Sequence, residues 1–335
     1  MPDIILTGLA DESSASKRIE EQLAVTRALG LSHYSPRFLD VGSGVKNVMA
    51  LTDAELRRLL KLHEEFEVAV SSLASPIGKV KLFDFEDGTQ NAFIPFEQYL
   101  REDVARAIEL AQALGTRLIR GFSFYPPRGD DPREHLTRSA EQLRAIAEAC
   151  ADGGVYLGLE VEANLVGRNG ELEAALWEAV GHEHLGLVFD AGNLVCLGYG
   201  GAAILAQWEA MKPGLLWIHV KDYLDPRPAT ADPSALGHIA EDALEHFVPA
   251  DAGDANHARL FADLKASLPE IRARLTAKGI PGLYLDLEPH LKGGGQFGGF
   301  SGPDGYGVAL RALCRVLDGA GLSYDLTTFA DLARG

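Results

Sequence analysis

Residues 283–290 read LYLDLEPH. In an extended chain successive side chains point to opposite faces. Leu283, Leu285 and Leu287 therefore share one face, and Tyr284, Asp286 and Glu288 share the other. The leucines suit an apolar layer, so Glu288 is turned the opposite way at the end of a run otherwise built to be dry. A carboxylate in that position has meaning only if other strands end in the same manner.

Similar short apolar runs recur along the 335 residues: IILTGLA (4–10), HYSPRFL (33–39), VAVSSLAS (68–75), RLIRGFSF (117–124), VYLGLEVEA (155–163), LGLVFDAG (185–192) and LLWIHVKD (215–222). Each has strand length and carries β-branched or aromatic residues. Longer amphipathic stretches lie between them. SASKRIEEQLAVTRALG stops at Gly30, TDAELRRLLKLHEEF opens with Thr52 and has Glu55 three residues on, and further helical stretches end at Gly115 and Gly153. The Thr52/Glu55 pair is a capping box.

Eight alternating units predict parallel strands joined by right-handed crossovers. Eight also predict closure into a barrel, and the length is ample for one such domain. The expected fold is α/β, a single (β/α)8 TIM barrel over residues 1–335. Two long connections, about 76–95 and 223–256, follow the third and seventh strands. Both would lie on the C-terminal face, where barrel active sites are found.

Parity places the chemistry. In the fifth strand Leu157, Leu159 and Val161 face the helices, so Gly158, Glu160 and Glu162 face the lumen. In the sixth, Gly186, Val188 and Asp190 face inward. In the seventh, Trp217, His219 and Lys221 do so. Four consecutive strands thus deliver Glu160, Asp190, His219 and Glu288 to one end of one lumen. Three gathered carboxylates repel each other, and burial raises their pKa values. A divalent cation removes that conflict. Carboxylate oxygens with one imidazole suit Mn²⁺, Mg²⁺, Co²⁺ or Zn²⁺.

Charge and composition narrow the partners. A net charge of −17 speaks against nucleic acid. No apolar stretch reaches the length of a membrane span. The start has no basic segment before an apolar one, and the three cysteines form no pair pattern. A cytoplasmic protein is the expectation.

The motifs GVYLGLEVEAN (154–164), VFDAGNLVCLG (188–198), WIHVKD (217–222) and DLEPHLKGGGQFGGFSGP (286–303) resemble the xylose isomerase-like TIM-barrel superfamily, in particular its sugar phosphate isomerase/epimerase group. NVMALTDAEL (47–56), SLASPIGKV (72–80) and RLIRGFSFYPP (117–127) resemble a subset of it. The resemblance implies one divalent metal ion on Glu160, Asp190, His219 and Glu288. Glu160 and Glu162 compete for the first position. The family's spacing from Gly154 favours Glu160, leaving Glu162 as its neighbour or a substrate contact. Asn193 stands where many epimerases have a histidine.

The implied chemistry is proton transfer next to a carbonyl, through a metal-stabilised enediolate. Glu160 and Glu288 would serve as acid and base. Lys221 and His290 would orient substrate oxygens. Lys79 and Arg120 would bind a phosphate or carboxylate on a sugar substrate, and Tyr125, Phe297 and Phe300 would wall the ring. A homo-oligomer is compatible with this class. The same cradle would also serve a dehydratase or lyase on a keto-sugar or inosose, or a non-catalytic metal-binding protein. An apurinic endonuclease would call for more histidines and a basic surface.

Overall fold

A computed structural model describes residues 4–227, 245–293, 299–328 and 331. Its centre is a sheet of parallel strands: β1 (Ile4–Gly8), β2 (His33–Tyr34), β3 (Leu73–Ile77), β4 (Leu118–Gly121), β5 (Tyr156–Glu160), β6 (Leu185–Asp190), β7 (Leu215–Val220) and β8 (Leu283–Leu287). Seven of them form one continuous sheet in the order β1-β8-β7-β6-β5-β4-β3. β2 closes the remaining gap. His33 and Tyr34 pair with Ala69 and Val70, just ahead of β3, and the Ser35 amide donates to the Gly8 carbonyl. The fold is the expected α/β barrel.

The second stave is shorter than the run HYSPRFL suggests. Pro36 has no amide to continue a ladder. Phe38–Asp40 instead leaves the barrel and pairs antiparallel with Val45–Asn47. The run after Val68 is likewise broken, into Ala69–Val70 and Leu73–Ile77. The connection after β7 begins as a short antiparallel pair, Asp222–Tyr223 with Phe247–Val248.

Strand parity sorts the layers. Phe189 packs outward, edge-on to Trp208 of the helix Ala202–Met211. Trp217 fills the lumen and is fully buried. It fits because β5 carries Gly158 opposite, where an added Cβ would lie 2.3 Å from the indole. The first α-helix runs from Ile19 to Ala28, so the SASKR that opens its stretch stays outside it. Thr52 and Glu55 form a reciprocal capping box on Asp53–Phe66. The left-handed turn after the helix Leu136–Asp152 falls on Gly154 rather than Gly153.

Candidate metal centre

Glu160 and Asp190 are the last residues of β5 and β6, His219 is next to last in β7, and Glu288 directly follows β8. The Glu288 amide donates to the Val220 carbonyl at 3.1 Å, which carries the strand register one residue past β8. One donor atom from each of the four residues lies within 4.8 Å of the others. All four residues are buried, at 4% exposure or less.

Asp190 divides its two oxygens. Oδ1 caps the short helix Ala191–Cys196 by accepting the Asn193 amide at 3.0 Å. Oδ2 faces the cluster without an aligned hydrogen bond, and neither nitrogen of His219 has one. Unsatisfied buried polar atoms are costly. His219 Nδ1 faces two of the carboxylates, 3.2 Å from Glu160 Oε1 and 3.4 Å from Glu288 Oε2. An orphaned carboxylate oxygen on Asp190 and an orphaned ring nitrogen on His219, in a set with two further carboxylates, fit a divalent cation. Those four residues would hold it. His219 Nε2, on the far side, stands 4.0 Å from Asp286 Oδ2. A carboxylate behind a ligating histidine fixes its ring orientation.

Electrostatics agree with this picture. Burial pushes Asp190 up to about 6 against the pull of Lys221. Burial alone would raise Glu160, but the charges of His219 and Arg120 bring it down to about 2. Burial alone would lower His219, yet Glu160 and Glu288 lift it to about 10. A proton on His219 thus supplies, within the bare cluster, positive charge that the carboxylates require.

Around this ring lie cations. Lys221 Nζ is 3.1 Å from Asp190 Oδ2 and 2.8 Å from Glu288 Oε2. Arg120 points into the lumen, 3.3 Å from Glu160, and donates to the carbonyls of Ala74 and Ser75. Its charge is therefore committed to Glu160, with Glu288 Oε1 also 3.8 Å away. Asn193 donates through Nδ2 to Glu160 Oε1 and to the Val161 carbonyl, so it positions a candidate ligand.

Glu162 stands outside the ring, half-buried, and pairs with Lys79 at 2.8 Å. That separates it from Glu160 as a candidate ligand. Lys79 is held over the Phe122 ring at 4.3 Å. Its loop turns at Gly78, whose φ of +89° and contact with the Phe122 carbonyl leave no room for a side chain. His290 is buried and bonded to Glu12 through both its amide and Nδ1, at 2.8 and 2.7 Å. Tyr125 is buried against Phe122 and Leu165 and does not stand free as a wall. Phe300 is half-buried, with Lys17 Nζ 5.7 Å from its ring centre. Phe297 lies outside the described residues.

Sequence reasoning missed Asp11, Glu12 and Arg37. Asp11 and Glu12 follow β1 in the short helix Ala10–Ser13, and Arg37 follows β2. The guanidinium of Arg37 joins them to the ring, contacting Asp11 at 3.2 Å, Glu12 at 3.4 Å and Glu288 at 2.6 Å. The signal was the position of LADE and SPR at the ends of the first two strands, the same place that marks the other four.

A family model described as xylose isomerase-like TIM barrel matches residues 23–312. The chain belongs to the xylose isomerase-like TIM barrel family. Solved structures agree with this assignment at the level of fold. A xylose isomerase-like TIM barrel protein from Mycobacterium smegmatis in complex with magnesium is 20% identical, with a TM-score of 0.61 over 95% of this chain and 96% of that one. The probable 3-DHS dehydratase AsbF from Bacillus anthracis is 14% identical, with a TM-score of 0.61 over 94% and 99%. An L-ribulose 3-epimerase is 17% identical, with a TM-score of 0.55 over 95% and 95%. No curated protein sequence matches the chain. No helix among the described residues is long and apolar enough to cross a membrane.

Proposed function

We propose that this family member is a divalent-metal-dependent isomerase or epimerase of a keto-sugar, acting by proton transfer next to the carbonyl. One observation carries the reading: Glu160 and Glu288 converge on the same nitrogen, His219 Nδ1, at 3.2 and 3.4 Å. Two carboxylates at one point can serve one carbon as base and as acid.

A bound dication would polarise the substrate carbonyl and offset the negative charge that develops when the neighbouring C–H proton leaves. The chain's own residues do the rest. One of Glu160 and Glu288 takes the proton as the C–H bond breaks, and the electron pair moves toward the carbonyl oxygen. The other returns a proton to carbon, which requires that it be protonated once substrate is bound, because in the bare cluster His219, Arg120 and Lys221 hold both carboxyls below the usual range. Asn193 and Arg120 hold Glu160 in place, and Lys221 holds Glu288. Lys221 is also placed to polarise a substrate oxygen, and Asp286 keeps the His219 ring oriented.

Lys79 and Arg120 are each paired with a glutamate, so neither offers an uncommitted charge to a phosphate. That favours an unphosphorylated sugar, with the cluster neutralised internally. The deciding experiment is a panel of ketoses, ketose phosphates and keto-glycosides incubated in D₂O with protein loaded with Mn²⁺, Mg²⁺, Co²⁺ or Zn²⁺. Deuterium at the carbon next to the carbonyl, with an epimeric or isomeric product, is expected. Conversion without deuterium would favour a hydride shift. Loss of water or another β-leaving group would make the protein a dehydratase or lyase, and both outcomes overturn the proposal.

A further inference from the structure

Two groups of potential ligands meet at the mouth of the barrel, and they share Glu288. The first is the ring of Glu160, Asp190, His219 and Glu288. The second is Glu12, Glu288 and His290, also buried, with donor atoms within 4.8 Å of one another. A carboxylate common to two such groups is the arrangement of a two-ion centre. The second group, however, already holds a cation of its own.

Arg37 is 5% exposed. It reaches Glu288 Oε1 through one terminal nitrogen at 2.6 Å and Glu12 Oε1 through the other at 3.4 Å. Its Nε donates to Asp11 Oδ2 at 3.2 Å. The planar fork of a guanidinium bridges carboxylates in fixed directions and carries a permanent charge. His290 is committed as well, with Nδ1 on Glu12 and Nε2 4.0 Å from Glu288. Glu12 further binds the Ser301 hydroxyl at 3.1 Å, which ties the end of the glycine-rich loop to this group.

We propose that Arg37 takes the place of a second metal ion, so that the centre holds one dication per chain while the guanidinium fixes Glu12 and Glu288 from the other side. Arg37 is a positioning residue: it presents Glu288 to the ring, with Oε2 turned toward Lys221 and His219 and Oε1 kept away by the guanidinium. The inference rests on the ring of Glu160, Asp190, His219 and Glu288 being a metal site. It deepens the proton-transfer reading by assigning the centre a single exchangeable ion beside a fixed charge.

The test is a Mn²⁺ titration of metal-free full-length protein, followed by calorimetry for stoichiometry and by electron paramagnetic resonance for coupling between ions. Wild type is expected to bind one ion per chain with an uncoupled manganese signal. Arg37→Met is expected to bind two ions with an exchange-coupled signal, and adding His290→Ala is expected to return it to one. Arg37→Lys keeps a cation in place and is expected to stay at one ion, which serves if Arg37→Met does not fold. Two ions on wild type, two on Arg37→Lys, or one on a folded Arg37→Met would each overturn the role of Arg37. Absence of any ion on wild type would instead remove the metal-centre reading beneath it.

Discussion

Lys221 donates to Glu288, with Nζ 2.8 Å from Oε2, and the same ammonium lies 3.1 Å from Asp190. A lysine thus shares two of the four candidate ligands. In bare protein it relieves their repulsion, and in loaded protein its charge opposes the ion. Lys221→Met is expected to bind Mn²⁺ about tenfold more tightly, equivalent to about 1.4 kcal/mol. It is also expected to turn over about a hundredfold more slowly, the scale of losing one oriented donor at a site of developing charge. Calorimetry and initial rates give both numbers. Weaker metal binding with an unchanged rate would show that Lys221 has neither role.

Asp286 should matter to the metal without touching it. Burial lifts its carboxyl to about 6, against the charge of His219 and a hydrogen bond from the Ser35 hydroxyl. Ser35 in turn bonds to Ser71, and Ser71 to Thr7, a chain of hydroxyls joining β1 to the residues just after β2 and just before β3. Asp286→Ala removes the group behind His219 and is expected to weaken metal binding by about 10- to 100-fold. The melting transition of the metal-free protein serves as the control for folding. If metal affinity holds while the fold is intact, Asp286 does not orient the histidine.

The sequence made the four-residue ring legible because β5 to β8 are buried runs whose parity is unambiguous. One face of each run is wholly apolar, and the carboxylates and the imidazole of the other face fall towards its C-terminal end. Asp11, Glu12 and Arg37 were not legible in the same way. They lie just beyond β1 and β2, where Pro36 and the short helix Ala10–Ser13 end the period of two, so parity says nothing of where they point. Arg120 has lumen parity only once Gly158 is paired to it across β4 and β5, a register that composition does not specify.

Gly158 tests the lumen packing directly. A glycine-to-alanine change in a strand ordinarily stabilises by restricting the unfolded chain. At this position the new methyl would meet two atoms of the Trp217 ring at 2.3 and 2.4 Å and Val188 at 2.8 Å. Both neighbours are fully buried, so neither can swing aside. Gly158→Ala is expected to destabilise by about 1–3 kcal/mol, the range for overpacked cores. The midpoint of urea unfolding reads this out. A neutral or higher midpoint would mean that Trp217 does not fill the lumen opposite β5.

Glu173 offers a pH test at a carboxyl outside the candidate ligand set. It sits in the helix Gly170–Val180, fully buried, beside Ser123 and so close to Gly167 that a Cβ there would touch it. Burial pushes its carboxyl well above the ordinary range, with Ser123 opposing and the charge of Glu160 adding to the rise. The sign follows from linkage. The folded state keeps the proton where the unfolded chain, with a value of about 4.3, has lost it. Stability therefore falls as pH rises above that unfolded value, by up to about 1.4 kcal/mol per pH unit until the folded group itself ionises. Glu173→Gln cannot ionise and escapes this loss. Its unfolding free energy relative to wild type is expected to be flat below pH 4 and to climb in its favour from pH 5 to pH 7. Parallel pH profiles for the two proteins would mean that Glu173 is already ionised inside the fold, with a partner or water that offsets its burial.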